Sequence, residues 1–379
     1  FTHHQEGKQA QSLAYSLDLG RSWNKYAENP VLVFPGNSRD FRDPKVFWFQ
    51  GNADSHWVMC LAAGEKVLFY KSPDLIHWTP SGQFCLDSNG RYGVWETPDL
   101  FELPVDHDGE SRWVLTIGVQ LGCPAGGSGT MYFIGDFDGC SFNPTYSTEE
   151  MLWVDHGADF YASQSWNDEP NHRRIFLGWM SNWDYANTTP SADWRGMFSL
   201  PRELSLSKTE NGIRLVQKPI SEIATIRGES MSWKNVTIVE DNNLLKDLRG
   251  STFEIKSHFQ VRNGTEHFGF RVRVGNGEET IIGYNARDQI IYLDRTHSGQ
   301  NDFHARFAGI HSADLSPLNG SINLDIFVDS YSVEVFANHG QVTLTDSIFP
   351  SQDSLGVELF SAQGATHLNA LDFYPLIRP

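Results

Sequence analysis

Apolar and polar residues alternate along most of this chain, in runs too short for three helical turns and bounded by Gly, Asp, Asn and Pro. Such period-two runs predict a nearly all-β protein. The stretch "RDPKVFWF" (42–49) is one of them. Pro44 pushes Asp43 out of the helical region, so Arg42 and Asp43 stand at the entrance of a strand. In "INLDIFVD" (322–329) and "YSVEVFAN" (331–338), Leu324, Ile326 and Val328 fall on one face and Val333 and Val335 on the matching face of a partner. That is the spacing of a hairpin with one buried side. The segment 220–249 is polar and irregular and reads as a connector, which divides the chain into domains over 1–219 and 250–379. Alternating runs without a catalytic cluster make the second a β-sandwich, and Asp294, Arg295 and His297 in "YLDRTHSG" read as structural.

The runs of the first domain also repeat. "YSLDLGRSW" (15–23), "YKSPDLIHW" (70–78) and "FIGDFDGCSF" (133–142) share a strand, an acidic turn and an aromatic that opens the return strand. Their aspartates, Asp18, Asp74 and Asp138, are 56 and 64 residues apart. Unequal periods of several strands each suit propeller blades better than a solenoid. Three strands begin with an acid almost in step with these hairpins: Asp43, Glu96 in "WETPDLFEL" and Asp159 in "DFYASQSW", 53 and 63 residues apart. Equivalent positions on successive blades converge on the axis, so the three carboxyl groups are expected in one pocket. Asp159 has a second reading, as a residue that only shapes its turn.

Composition narrows what such a pocket takes. With 40% hydrophobic residues over 379 positions the chain can bury a sizeable core, and no run of eighteen apolar residues offers a membrane span. The net charge of −18 is spread evenly, which argues against nucleic acid, anionic lipid and polyanions and in favour of neutral ligands. Cys60, Cys85, Cys123 and Cys140 match no zinc spacing and allow up to two disulfides in three pairings. Sequons at Asn187, Asn235, Asn263 and Asn319 point together to a secreted eukaryotic glycoprotein.

Clustered carboxylates fit glycoside hydrolysis, in which one carboxylic acid protonates the leaving oxygen and a second attacks or activates water. Glu96, between Trp95 and Pro98, suits the acid, because apolar neighbours disfavour its ionised form. Trp183 in "GWMSNWDYAN" either stacks on a sugar ring or is ordinary packing. A metal site built from the same acids is the competing reading, but no segment has the dense oxygen spacing of a calcium loop.

"FRDPKVFW", "WETPDLFELPVD", "GSGTMYFIGDFDG", "DFYASQSW", "LGWMSNWDYAN", "SLPREL", "IIYLDRTHSG" and "LDIFVDSYSVEVFANHGQ" occur in the order seen in glycoside hydrolase family 32. The chain resembles that family, which contains invertases, levanases, inulinases and related fructosyltransferases, from about Ser12 to its end. The resemblance implies a five-bladed β-propeller followed by a β-sandwich. It implies a retaining β-fructofuranosidase with a fructose-containing substrate, no cofactor and no metal. Asp43 would be the transition-state stabiliser, Arg42 would orient it, Glu96 would be the acid/base and Trp183 would line the fructosyl pocket. The sandwich would bind polysaccharide or form a homodimer face.

Two departures stand out. Thr97 takes the place of the cysteine that usually follows the family's acid/base glutamate, and a threonine hydroxyl is expected to hydrogen-bond the carboxyl and shift the pH optimum. The sequence also contains no Trp-Met-Asn-Asp-Pro-Asn-Gly motif, which carries the family's nucleophile. The expectation is a propeller whose first blade, roughly 60 residues, is largely absent, supplied by a preceding or companion segment or not at all. A fructan-binding protein without catalysis is the alternative reading.

Overall fold

The computed structural model describes residues 1–34, 36, 39–51, 54–87, 90–106, 109–240, 243–261, 264 and 266–377. The protein is all-β, a propeller followed by a sandwich. The strands Thr2–Gln5, Lys8–Gln11 and Leu32–Val33 form a three-stranded sheet. Three four-stranded antiparallel blades follow: Arg42–Gln50 to Thr79–Cys85, Trp95–Val105 to Phe142–Pro144, and Tyr161–Ser165, Arg174–Met180, Arg202–Thr209 and Gly212–Pro219. The repeated aspartates lock the turns of this frame. Asp18 accepts the Ser22 N–H (2.9 Å), Asp74 the His77 N–H (2.8 Å) and Asp138 the Ser141 N–H (2.7 Å). The indoles of Trp23 and Trp78 then close on the carbonyls of Gly20 and Leu75.

The innermost strands Arg42–Gln50, Trp95–Val105 and Tyr161–Ser165 pack side by side. Each breaks register near its start, at a left-handed position held by Asp43 (φ 61°), Thr97 (φ 48°) and Ala162 (φ 50°). One pleat further on, the buried Lys45 ammonium lies 3.2 Å from Asp99 and donates to the Ser165 carbonyl, while Asp99 accepts the Ser165 N–H at 2.6 Å. One buried charge pair thus ties all three strands together.

The sandwich packs a six-stranded against a five-stranded sheet around Phe253, Phe268, Ile326, Val335 and Leu359. The hairpin Ser321–Asp329/Ser332–Ala337 pairs Ile326 with Val335 and Val328 with Val333, all facing this core. The region expected as a connector is partly sheet: Met231–Ile238 pairs with the final strand Thr366–Pro375. Asn235, left-handed at φ 55°, interrupts its alternation and hides the strand from a period-two reading. All four cysteines are free thiols, two of them buried in the blades, so the disulfide option is not taken. Among the described residues no helix is long and apolar enough to cross a membrane.

The two domains meet across a buried polar seam. Of the residues facing away from the sandwich core, Glu334 and Phe336 meet Arg202 of the propeller, and Thr343 and Thr345 meet the propeller segment 154–159, whose His156 and Asp159 N–H groups bond their carbonyls. A Cβ at Gly157 would stand 2.2 Å from the Thr345 oxygen, so only glycine allows this approach. Two fully buried arginines fill the seam. Arg202 pairs with Asp155 (2.9 Å) and Glu334 (2.7 Å), and Arg295 with Asp159 (2.6 Å). Removing one partner of such a pair strands a dry charge, so Arg295→Met is expected to cost about 3–5 kcal/mol in urea unfolding. The double variant Arg295→Met/Asp159→Leu should cost less than Arg295→Met alone.

Candidate active site

The site grows from the left-handed break shared by the innermost strands. The residue before the break is Arg42 on the first strand, Glu96 on the second and Tyr161 on the third. Equivalent positions bring these three side chains together. Arg42 donates through Nη2 (2.9 Å) and Nε (3.3 Å) to Glu96 Oε1, and the Tyr161 hydroxyl donates to Oε2 at 2.5 Å. Both carboxylate oxygens of Glu96 are thereby held, from opposite blades. Arg42 is anchored in turn by Asp40.

Asp43 occupies the break itself. Its Oδ2 accepts the Thr97 N–H at 3.0 Å and lies 3.9 Å from Arg42 Nε, while its own N–H donates to Thr2 Oγ1 at 3.0 Å. Burial raises the Asp43 carboxyl above its ordinary range; the Thr97 N–H and Arg42 oppose the shift and the charge of Glu96 adds to it. Tyr161 is pushed up too, by burial and by Glu96, and stays a hydroxyl donor. Trp183, 49% exposed, lies 5.0 Å from the Trp179 ring, which in turn lies 6.3 Å from Tyr161. An aromatic wall therefore runs from the carboxylates to solvent. Among the described residues no group of three His, Cys, Asp or Glu is arranged to hold a metal ion.

Several expectations need correction. Asp159 is not in the pocket; it is fully buried in the domain seam, bonded to Arg295, the Tyr185 hydroxyl (2.7 Å) and the Ser347 N–H (2.8 Å). Aligning the strands on their acids put it in phase, whereas aligning them on the break puts Tyr161 there, two residues later. Tyr161 was readable only if "RDP", "ETP" and "YAS" had been superposed. Glu96 does not sit among apolar groups, because Trp95 points to the opposite face, into the blade core. The Thr97 hydroxyl does not reach a carboxyl; it is buried with no hydrogen-bond partner among the described residues. Asn187, Asn235 and Asn319 are exposed, and Asn263 lies outside the described residues.

A carboxyl held between a guanidinium and a phenol, beside a second carboxyl that resists ionisation, is equipped to exchange a proton and to stabilise a developing positive charge. Two predictions follow from its strain. Because the folded protein holds the Asp43 proton more tightly than the unfolded chain, this group's stability contribution is present at low pH and lost as pH rises through the raised folded value. Asp43→Asn should therefore unfold at higher urea than the parent at pH 7, the gap closing towards about pH 4. Thr97→Cys removes an unpaired buried hydroxyl and a β-branched side chain from a left-handed position. It should stabilise the protein by about 1–2 kcal/mol and leave the pH–rate profile superimposable on the parent's.

Known proteins share this architecture. The family models for the glycosyl hydrolases family 32 N-terminal domain and C-terminal domain match residues 1–219 and 222–375. A levanase of Bacillus subtilis is 47% identical over 99% of this chain, which spans 56% of the levanase's length. An extracellular exo-inulinase of Aspergillus awamori is 36% identical over 98% of the chain and 72% of its own length. Among solved structures, exo-inulinase from Aspergillus awamori superposes with a TM-score of 0.90 at 35% identity, covering 98% of this chain and 75% of the other. A β-fructofuranosidase from Schwanniomyces occidentalis, complexed with fructosyl-erythritol, superposes with a TM-score of 0.89 at 27% identity, covering 100% and 77%. Two family models that together span nearly the whole chain, and relatives that share its propeller and sandwich, make it a member of glycosyl hydrolases family 32.

Proposed function

We propose that this protein is a secreted retaining β-fructofuranosidase that releases terminal fructosyl units from levan, inulin or sucrose. The observation that carries the reading is Glu96 held at both oxygens by Arg42 and Tyr161, beside Asp43. Glu96 protonates the leaving oxygen and afterwards, as a carboxylate, takes the proton of the incoming water. Arg42 and Tyr161 keep its carboxyl in one orientation through both steps. Asp43 holds hydroxyls of the fructosyl ring as positive charge develops on it, and Trp183 closes the pocket with its exposed ring. The covalent step belongs to the family's Trp-Met-Asn-Asp-Pro-Asn-Gly aspartate, a motif these 379 residues do not contain. A sugar hydroxyl in place of water would give transfer with the same groups.

Levan leads the three substrates, since the levanase relative is 47% identical against 36% for the exo-inulinase. Secretion is supported by the word "extracellular" in the exo-inulinase relatives' names and by exposed sequons at Asn187, Asn235 and Asn319. The sandwich's outer strands are the proposed homodimer face. The second reading is a fructan-binding protein without turnover, in which the same pocket holds the sugar and cleaves nothing.

Fructose release from levan, inulin and sucrose by the parent and by Glu96→Gln separates the two readings. The hydrolase reading expects release by a parent that carries the nucleophile motif and a loss of roughly 10²–10⁴-fold in the variant, with sugar binding retained. Equal release by both proteins would rule out Glu96 as the acid/base.

A further inference from the structure

The loop that carries Trp183 is built from the propeller and held by both domains. Asn182, buried, anchors its start by donating to the carbonyls of Gly126, Ser128 and Ala158, and the Trp183 N–H donates to Ser128 Oγ at 3.0 Å. The next two residues keep a propeller tie, with the Asp184 N–H donating to Asn182 Oδ1 and the Tyr185 N–H to the Asn182 carbonyl, and add contacts to the sandwich. Asp184 forms an ion pair with Arg306 of the sandwich at 3.0 Å. Tyr185 buries its ring edge-on against Phe307 (5.3 Å) and gives its hydroxyl to Asp159, while Arg295 donates to it at 2.9 Å. The aromatic at the pocket rim is therefore followed directly by two residues that the propeller and the sandwich hold together.

Of these contacts the Tyr185 cluster is a packed core, whereas the Asp184–Arg306 pair is open to solvent, with Arg306 64% exposed. An exposed pair contributes little to global stability. Asp184 nonetheless stands beside the propeller's glycine loop, where a Cβ on Gly127 would lie 2.8 Å from its Oδ2. The pair thus pins a tight loop whose other end presents the sugar-facing ring.

We propose that Arg306, from the sandwich, is a positioning residue for substrate: by holding Asp184 it fixes the rim orientation of Trp183. This rests on the reading of Trp183 as a sugar-stacking side chain. It gives the sandwich a share in the propeller's active site without supplying a catalytic residue.

The test compares the parent with Arg306→Ala and with the charge-exchanged double variant Asp184→Arg/Arg306→Asp, each also in a Trp183→Phe background. KM for levan and the acrylamide quenching of Trp183 are measured, the latter as the fluorescence difference from the Trp183→Phe partner. Arg306→Ala should raise KM about two- to fivefold, keep kcat within about a factor of two and leave the melting temperature within about 2 °C. Trp183 should become more quenchable, and the double variant should recover both properties. Any other pattern, such as unchanged quenching or a KM effect that the exchange leaves uncorrected, overturns the proposal. If a parent that carries the nucleophile motif releases no fructose, the hydrolase reading fails by itself, and the quenching and its recovery still decide the role of Arg306.

Discussion

Everything in this molecule is referred to a dry seam that contains two guanidinium groups. Arg202 comes from the propeller and Arg295 from the sandwich, and each is neutralised by carboxylates that include one from the other domain. Neither charge can remain buried without those partners. Each guanidinium also lies over an aromatic ring, Arg202 over Phe160 at 4.1 Å and Arg295 over Phe307 at 4.0 Å. Such a seam leaves one relative placement of the two domains, because a shift of either would leave a buried charge without its partner.

The seam reaches the chemistry through six residues of chain. The segment 154–159, stitched to the strand Val342–Ser347, runs straight into Tyr161–Ser165, whose first side chain donates to Glu96. From there the order passes round the axis: Tyr161 to Glu96, Glu96 to Arg42, Asp43 to the Thr97 N–H, and below them the Lys45–Asp99–Ser165 brace. The site is therefore assembled from one position on three blades, and none of its members is held by its own strand alone.

The same ring concentrates strain. Asp43 and Thr97 are non-glycine residues with left-handed backbone, Thr97 is β-branched and hides an unpaired hydroxyl, and the Asp43 carboxyl is desolvated. Each feature is unfavourable for folding. Their concentration at the pocket, with well-packed blades and a sandwich core behind them, is what a preorganised site looks like when the rest of the fold outweighs its cost.

The chain by itself determined the strand type, the blade repeat, the hairpin of the sandwich and the residues of the "RDP" and "WETP" motifs, because alternation, turn chemistry and motif order are local properties. Tertiary structure alone decided which side chains share the pocket. Asp159 and Tyr161 are two residues apart and both near the phase of the repeat, but the left-handed break sets the register and sends Tyr161 to Glu96 and Asp159 to Arg295. It also decided that strands with one apolar face are buried on both: Val333 and Val335 enter the sandwich core while Glu334 and Phe336 meet the propeller. A buried polar face is indistinguishable from a solvated one in a linear pattern, since its partners lie more than a hundred residues away and are recognised only by charge complementarity in three dimensions.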